Sequence, residues 1–359
     1  MASSRHTSFT YNGQPAHVVF GSGTLDALRV EVERLGMKRV LVICTPRQAR
    51  DMDRILGLLG GAAAGIFSGA VMHTPVDVTE QCLAVVEKLK ADGLVAIGGG
   101  STTGLAKAIA LRTDLPQIIL PTTYAGSEMT PVLGETRDGN KVTQSSPKIL
   151  PETVIYDIDL TMSLPATISA TSGINAIAHG VEALYARERN PVVDMMALEG
   201  IGALFSALPR ISADMADVAA RTDALYGTWL CGICLGSVGM ALHHKLCHTL
   251  GGGFDLPHAE THTIILPHAL AYNVPAIPEV IDRLKPVLQT DDPAMAIYDL
   301  AGRTGARRAL KDIGMPQSGI DLAVERAMSN PYWNPRPLDA SAIRELITRA
   351  YQGLPPAPV

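Results

Sequence analysis

Residues Leu94–Lys107 read LVAIGGGSTTGLAK. Leu94-Val95-Ala96-Ile97 is a short, uninterrupted apolar run, the pattern of a strand buried on both faces. Gly98-Gly99-Gly100 then lets the backbone turn and approach a ligand closely, and Ser101 to Lys107 opens a helix. This order builds an anion site. Unpaired N–H groups and the helix dipole face the guest, and Ser101, Thr102 and Thr103 add hydroxyl donors. A pyrophosphate is the expected guest, although the spacing matches neither G-x-G-x-x-G nor the P-loop.

The flanking sequence repeats the same plan. Arg39-Val40-Leu41-Val42-Ile43-Cys44 reads as a second buried strand. Gly65-Ile66-Phe67 leads to a turn at His73-Thr74-Pro75, and Val78 to Ala91 has helical periodicity, with Leu83, Val86 and Leu89 on one side. Gln117-Ile118-Ile119-Leu120 is a third strand, followed by the loop Pro121-Thr122-Thr123-Tyr124-Ala125-Gly126-Ser127-Glu128. Strands alternating with helices imply a parallel, Rossmann-like sheet, and ligands bind at the carboxyl ends of such strands. Two ligand-type loops on one edge point to a dinucleotide held by Gly98, Gly99, Gly100, Ser101, Thr102, Thr122 and Thr123, with Thr45 at the end of the earlier strand. That strand ends Cys44-Thr45-Pro46-Arg47, with no acid to repel a 2′-phosphate. Both NADH and NADPH therefore fit.

After Asp159 helical periodicity takes over, with helices expected over 168–187, 191–208, 216–242 and 340–352. The expected domains are an α/β domain over 1–160 and an all-α domain over 161–359. The 359 residues are 47% hydrophobic and only 4% aromatic, with a net charge of −5 and no basic run. This excludes disorder and argues against a phosphate-tracking nucleic-acid surface. Abundant alanine and glycine suggest tight helix packing. No hydrophobic signal segment or 20-residue apolar run is apparent, and the five cysteines fit a reducing compartment, so a cytoplasmic location is expected. Cys231 and Cys234 read as core residues on one helix face rather than a redox pair.

Six of the ten histidines fall between Ala241 and Ala269, in ALHHKLCHTLGGGFDLPHAETHTIILPHA, and His179 lies in SGINAIAHGVEAL. Imidazole both ligates metals and moves protons near neutral pH. Asn175 and His179 share a helix face, as do His244 and His248. Gly251-Gly252-Gly253 is expected to end the latter helix. His258 and His262 follow one turn apart. The partner of His179 is an amide and not a carboxylate, so the plan resembles a metal site without the anion that would secure an ion.

These segments resemble the iron-containing alcohol dehydrogenase superfamily over nearly the whole chain. The matching stretches are Phe20-Gly21-Ser22-Gly23, the glycine loop at Gly98, Pro121-Thr122-Thr123, the helix Ile174–Leu184 and the block Leu242–His268. GGGSTTGLAK, PTTYAGSEMTP, HHKLCHTLGGGFDLPHAETH and LPHALAYN are most similar to the maleylacetate reductase branch. The resemblance implies a dehydroquinate synthase-like architecture, a cleft between two domains, and a homodimer. It places Asn175 where the superfamily has an aspartate ligand and Gly104 where its glycine loop has an acid. The other ligand positions map onto His179, His244 and His258, and the proton-transfer histidine maps onto His248.

The implied reaction is NAD(P)H-dependent reduction of the maleylacetate C=C bond to 3-oxoadipate, in the degradation of aromatic compounds. On this reading the metal site is vestigial: Asn175, His179, His244 and His258 hold no ion, and His179, His244 and His258 polarise the substrate directly. His248 or Tyr124 donates the proton. His243, Lys245, Arg336 and Asn175 are the expected substrate contacts, with Arg336 equally readable as a solvated loop charge. Lys107 reads as a surface charge ahead of a phosphate contact. Glu128 and Asp255 read as capping or loop residues at least as well as catalytic ones. The rival reading is a metal-dependent alcohol dehydrogenase that reduces a carbonyl.

Overall fold

The computed structural model describes residues 9–11, 13, 17–137, 140–329 and 332–357. The chain divides into two compact units, one over Gly13–Leu164 and the other taking up the chain from Pro165.

The first unit is built on six parallel strands: β1 (His17–Gly21), β2 (Val40–Ile43), β3 (Ala63–Phe67), β4 (Gly93–Gly98), β5 (Gln117–Pro121) and β8 (Thr153–Asp157). Their order across the sheet is β1-β8-β5-β4-β2-β3. β2, β4, β5 and β8 are buried at every position, which explains the apolar, Val/Ile/Leu-rich middle of each. Helices α1 (Leu28–Arg34), α2 (Asp53–Leu59), α3 (Val76–Leu89) and α4 (Gly100–Thr113) connect the strands. The chain steps from β2 outward to β3, returns to β4 and then runs the other way to β5, so the direction of winding switches between β2 and β4. β1 and β8 at one side of the sheet were not evident from the sequence. Nor was the antiparallel hairpin β6 (Val132–Arg137) and β7 (Asn140–Ser145).

The second unit is helical: α5 (Ala166–Ala183), α6 (Pro191–Ala213), α7 (Val218–Ser237), α8 (Leu242–Phe254), α9 (His258–Asn273), α10 (Pro278–Leu288), α11 (Pro293–Arg303), α12 (Gly319–Met328) and α13 (Ala340–Gln352). Small residues bring α5, α6 and α7 close together. A Cβ on Gly227 would lie 2.7 Å from the Gly200 carbonyl oxygen, and one on Gly180 would lie 3.1 Å from Cys231 Sγ. Cys231 and Cys234 are both buried in this packing, as core residues. α6 is long and apolar enough to pass for a membrane span by composition, yet it buries Val193, Ala197, Ile201 and Leu204 and packs along α5 and α7.

Two expectations are corrected here. The helix expected over 216–242 is broken at Ser237, and α8 leaves α7 at 94°. The apolar pattern runs through the break because both sides are buried. The bend is set from outside, by a carboxylate of α5 that takes the first N–H groups of α8. The second correction concerns Gly251–Gly253, which form no turn: α8 continues through them to Phe254 and stops at Asp255, in the left-handed region with φ of 52°. The space beside them is occupied, since a Cβ on Gly253 would lie 2.6 Å from Arg326 Nη1.

His268, near the middle of α9, is 2% exposed, and burial pushes its pKa down to about 4. The folded chain keeps this imidazole neutral. Below pH 6.5 the unfolded chain takes up a proton that the folded one refuses until about pH 4. The stability contribution is therefore complete above the unfolded pKa and is lost as pH falls through that window, by about 3 kcal/mol at full extent. Urea midpoints of the chain are expected to drop between pH 7 and pH 4.5, and His268→Leu should flatten that drop.

Candidate functional site

In the first unit, three loops meet at the carboxyl ends of β2, β4 and β5. Gly98 closes β4 with φ of +143°, a conformation side chains rarely adopt. A Cβ there would lie 2.6 Å from Thr102 Oγ1 and 2.9 Å from Gln48 Oε1. Gln48 Oε1 accepts from both the Thr45 amide and hydroxyl, at 3.1 and 2.8 Å. Thr122 N donates to Gly98 O at 2.9 Å, and Thr123 crowds Gly99. The structure thus gathers Thr45, Gly98, Gly99, Thr102, Thr122 and Thr123 around the N-terminus of α4, with Gly100 and Ser101 in its first turn. Thr102 is buried, and its hydroxyl is bonded to Gly99 O, so it serves the loop's shape.

Lys107 corrects both of its sequence readings. It is 1% exposed, and its ammonium donates to Ser127 O, Thr130 O, Thr130 Oγ1 and Val132 O. Lys107 is a clamp between α4 and the segment entering β6, with a pKa lowered by burial to about 7. Glu128 is buried in the same unit and accepts from Tyr156 Oη at 2.8 Å, its pKa raised by burial. Tyr124 is fully buried there as well.

In the second unit, α5, α8 and α9 place six imidazoles and one carboxylate together. Asn175, His179 and Glu182 form one stripe of α5 at i, i+4 and i+7, and all three are buried. Glu182 is the anchor. Its carboxylate accepts from Ala241 N (2.9 Å), His243 N (2.8 Å), His244 N (3.4 Å) and His244 Nδ1 (2.7 Å). It therefore caps α8 and orients His244 at once. Burial alone would raise its pKa, but the His244 bond and the backbone donors outweigh that and hold it below the usual range.

The network fixes the tautomers. His244 gives its Nδ1 hydrogen to Glu182, leaving Nε2 as a lone pair 3.0 Å from His179 Nδ1. His179 Nε2 in turn lies 3.3 Å from Asn175 Nδ2. Asn175–His179–His244–Glu182 is a continuous polar chain. His248, exposed on α8, has its ring 6.2 Å from that of His244. His258, half-buried at the start of α9, has its ring centre 4.2 Å from that of His262, which is 5.1 Å from that of His244.

His262 and Glu182 had not been singled out as site residues. Glu182 was legible in principle, because it continues the 175/179 stripe. His262 is fully buried, its Nδ1 lies 3.0 Å from His243 Nε2, and its Nε2 has no hydrogen-bond partner.

The expected carboxylate partners fare unevenly. His243 is fully buried and held neutral, burial and the neighbouring His244 pushing its pKa well down. It is corrected from a substrate contact to an interior group, since a neutral, sealed imidazole offers no positive charge to a dicarboxylate. Arg336 donates to Tyr272 O at 2.8 Å and stacks on the Tyr272 ring at 4.3 Å. It ties the segment before α13 to α9 and is no solvated loop charge. Lys245 lies over the Tyr332 ring at 5.4 Å.

Residues 15–158 match the family model described as "Iron-containing alcohol dehydrogenase", and residues 169–351 match "Fe-containing alcohol dehydrogenase family, C-terminal". The chain is 52% identical to the maleylacetate reductase of Rhizobium sp. over 97% of its length and 99% of that protein's. It is equally similar to the maleylacetate reductase of Sphingobium indicum, at 52% over 97% and 99%. Among solved structures, the maleylacetate reductase from Agrobacterium tumefaciens superposes with a TM-score of 0.93 at 51% identity, over 98% of this chain and all of that one. The iron-containing alcohol dehydrogenase from Corynebacterium glutamicum gives 0.90 at 41%, over 96% and 97%.

These matches overturn the expectation of a site that works without metal, because the family is an iron-containing one. The donors fit an ion. His244 Nε2, kept as a lone pair by Glu182, is one ligand atom, and His179 joins it 3.0 Å away in the tautomer that leaves Nδ1 bare, a spacing close to that of two ligands on one ion with bonds of about 2.1 Å. The carboxylate absent at Asn175 is present one shell out, as Glu182 behind His244. The chain belongs to the iron-containing alcohol dehydrogenase family, among relatives named maleylacetate reductase.

Proposed function

We propose that this chain is an oxidoreductase of the CH–CH group that uses NADH or NADPH to reduce the C=C bond of maleylacetate, giving 3-oxoadipate. The observation that carries the reading is the buried Asn175–His179–His244–Glu182 chain beside an exposed His248, in a chain half identical to enzymes of that name. The substrate's alkene is conjugated to a ketone, so a hydride added at the carbon β to the ketone drives negative charge onto the ketone oxygen. When bound, nicotinamide supplies the hydride, and a divalent ion on Asn175, His179, His244 and His258 supplies positive charge for that oxygen.

The protein's own groups do the rest. Glu182 keeps the His244 Nε2 lone pair directed at the site, and the ordered chain keeps His179 and Asn175 in register with it. His248, exposed and one helical turn from His244, protonates the carbon between the ketone and the new C–H bond. Lys245 meets a substrate carboxylate, and Arg336 holds the segment before α13 through Tyr272. In the first unit, the N–H groups at the start of α4 hold the pyrophosphate. Five free, buried cysteines suit a reducing compartment, and we place the enzyme in the cytoplasm as a homodimer.

Gly98→Ala tests the cofactor half. Its Cβ would collide with Thr102 and Gln48 at a positive φ, so the strand end and the first turn of α4 must shift. The KM for the nicotinamide cofactor is expected to rise at least tenfold, with kcat less affected. Initial rates with NADH and with NADPH give the preference. Failure of the wild-type chain to bind either would overturn the reading.

A further inference from the structure

Inside the imidazole cluster lies a second donor set, used neither by the Glu182 chain nor by the proposed reaction. His243 and Cys247 are one turn apart on α8, and His262 comes from α9. One ligand atom from each lies within 4.8 Å of the others. His243 Nε2 is 3.0 Å from His262 Nδ1 and 3.7 Å from Cys247 Sγ. The three are 0%, 1% and 0% exposed for His243, Cys247 and His262.

We propose that His243, Cys247 and His262 form a binding site for a soft, monovalent cation of the Cu(I) type. Three features select that class. One thiolate and two imidazoles are soft donors, preferred by Cu(I) and zinc and avoided by magnesium, calcium and manganese. The set contains no carboxylate, so it carries a single negative charge once the thiol is deprotonated. In so sealed a place the net charge decides between the remaining ions. A monovalent ion gives a neutral complex, whereas a divalent one leaves a positive charge that, unlike at the set containing half-buried His258, no solvent-reached ligand can share. Loading is a proton exchange with no redox step: the S–H bond breaks, a Cu–S bond forms, and one proton leaves to solvent.

Half-buried His258 lies against His262, with ring centres 4.2 Å apart, and His262 reaches His243, so the set adjoins the partly exposed edge of the cluster. Binding joins α8 to α9 through three ligands, which raises the unfolding temperature of the loaded chain.

The test uses the full chain, reduced and free of oxygen, titrated with Cu(I) against a chromogenic Cu(I) chelator. X-ray absorption at the copper edge then reads the ligands. One equivalent is expected, with sulfur among its nearest neighbours. Affinity is expected to fall at least tenfold in Cys247→Ser, in Cys247→Ala and in His262→Gln, each checked for folding by circular dichroism. No copper retained against the chelator, copper with nitrogen neighbours alone, or unchanged affinity in the folded variants overturns the proposal. The wild-type spectrum decides even if a variant fails to fold. No substrate or nicotinamide enters the measurement, so its outcome is independent of the maleylacetate reading.

Discussion

Glu182→Ala is expected to lower the unfolding free energy by several kcal/mol, at about 1–3 kcal/mol for each buried donor left unsatisfied. It is also expected to cut kcat by roughly 10–100-fold, the range for losing the carboxylate behind a liganding histidine. Both effects come from one side chain because its two oxygens serve two purposes. They accept the N–H groups of Ala241, His243 and His244, which otherwise open α8 with no partner, and they take the His244 Nδ1 hydrogen. Truncation leaves those donors buried and unsatisfied, and it frees the His244 ring to flip or change tautomer. Glu182→Gln separates the two. Its amide oxygen still accepts from the backbone, so most stability should return while kcat stays depressed. Denaturant melts and steady-state kinetics on both variants give the comparison. Equal losses of stability in Gln and Ala variants would show that the charge, and not the cap, holds α8.

His248→Ala is expected to lower kcat by about 10²–10⁴-fold, the usual contribution of a positioned proton donor, while leaving the unfolding midpoint nearly unchanged. The stability side follows from exposure: His248 is the exposed member of the α8 histidines and buries little. The kinetic side follows from its place one turn beyond His244, with rings 6.2 Å apart. The KM for the nicotinamide should not move. A variant that keeps wild-type kcat would pass the proton-donor role to another group, Tyr124 being the other candidate considered.

Much of this was legible in the sequence, for identifiable reasons. The β4–glycine–α4 unit combined a buried apolar run, three glycines and three hydroxyl residues, and each signal implied the same local geometry. The density of histidines in the sequence corresponds to the ring cluster that α5, α8 and α9 bring together. What the sequence hid were features decided by tertiary partners. The α7–α8 bend lies in an unbroken apolar stretch, and it is fixed by Glu182 reaching across from α5. Gly251–Gly253 read as a stop signal, yet α8 runs through them to Phe254, with Arg326 packed beside Gly253. Lys107 read as a surface cation, since nothing local reveals the three carbonyls and one hydroxyl that surround it. The structural partners of Arg336 and His243, Tyr272 and His262, were hidden for the same reason: they lie far along the chain.

The most direct test supplies maleylacetate and a nicotinamide cofactor carrying deuterium at the transferable position, and locates the label in the product by NMR. One cofactor oxidised per 3-oxoadipate formed, with deuterium on the carbon β to the surviving ketone, is the expected result. Deuterium on a newly formed carbinol carbon, with the alkene intact, would make this chain a carbonyl reductase and contradict the reading built on its histidines.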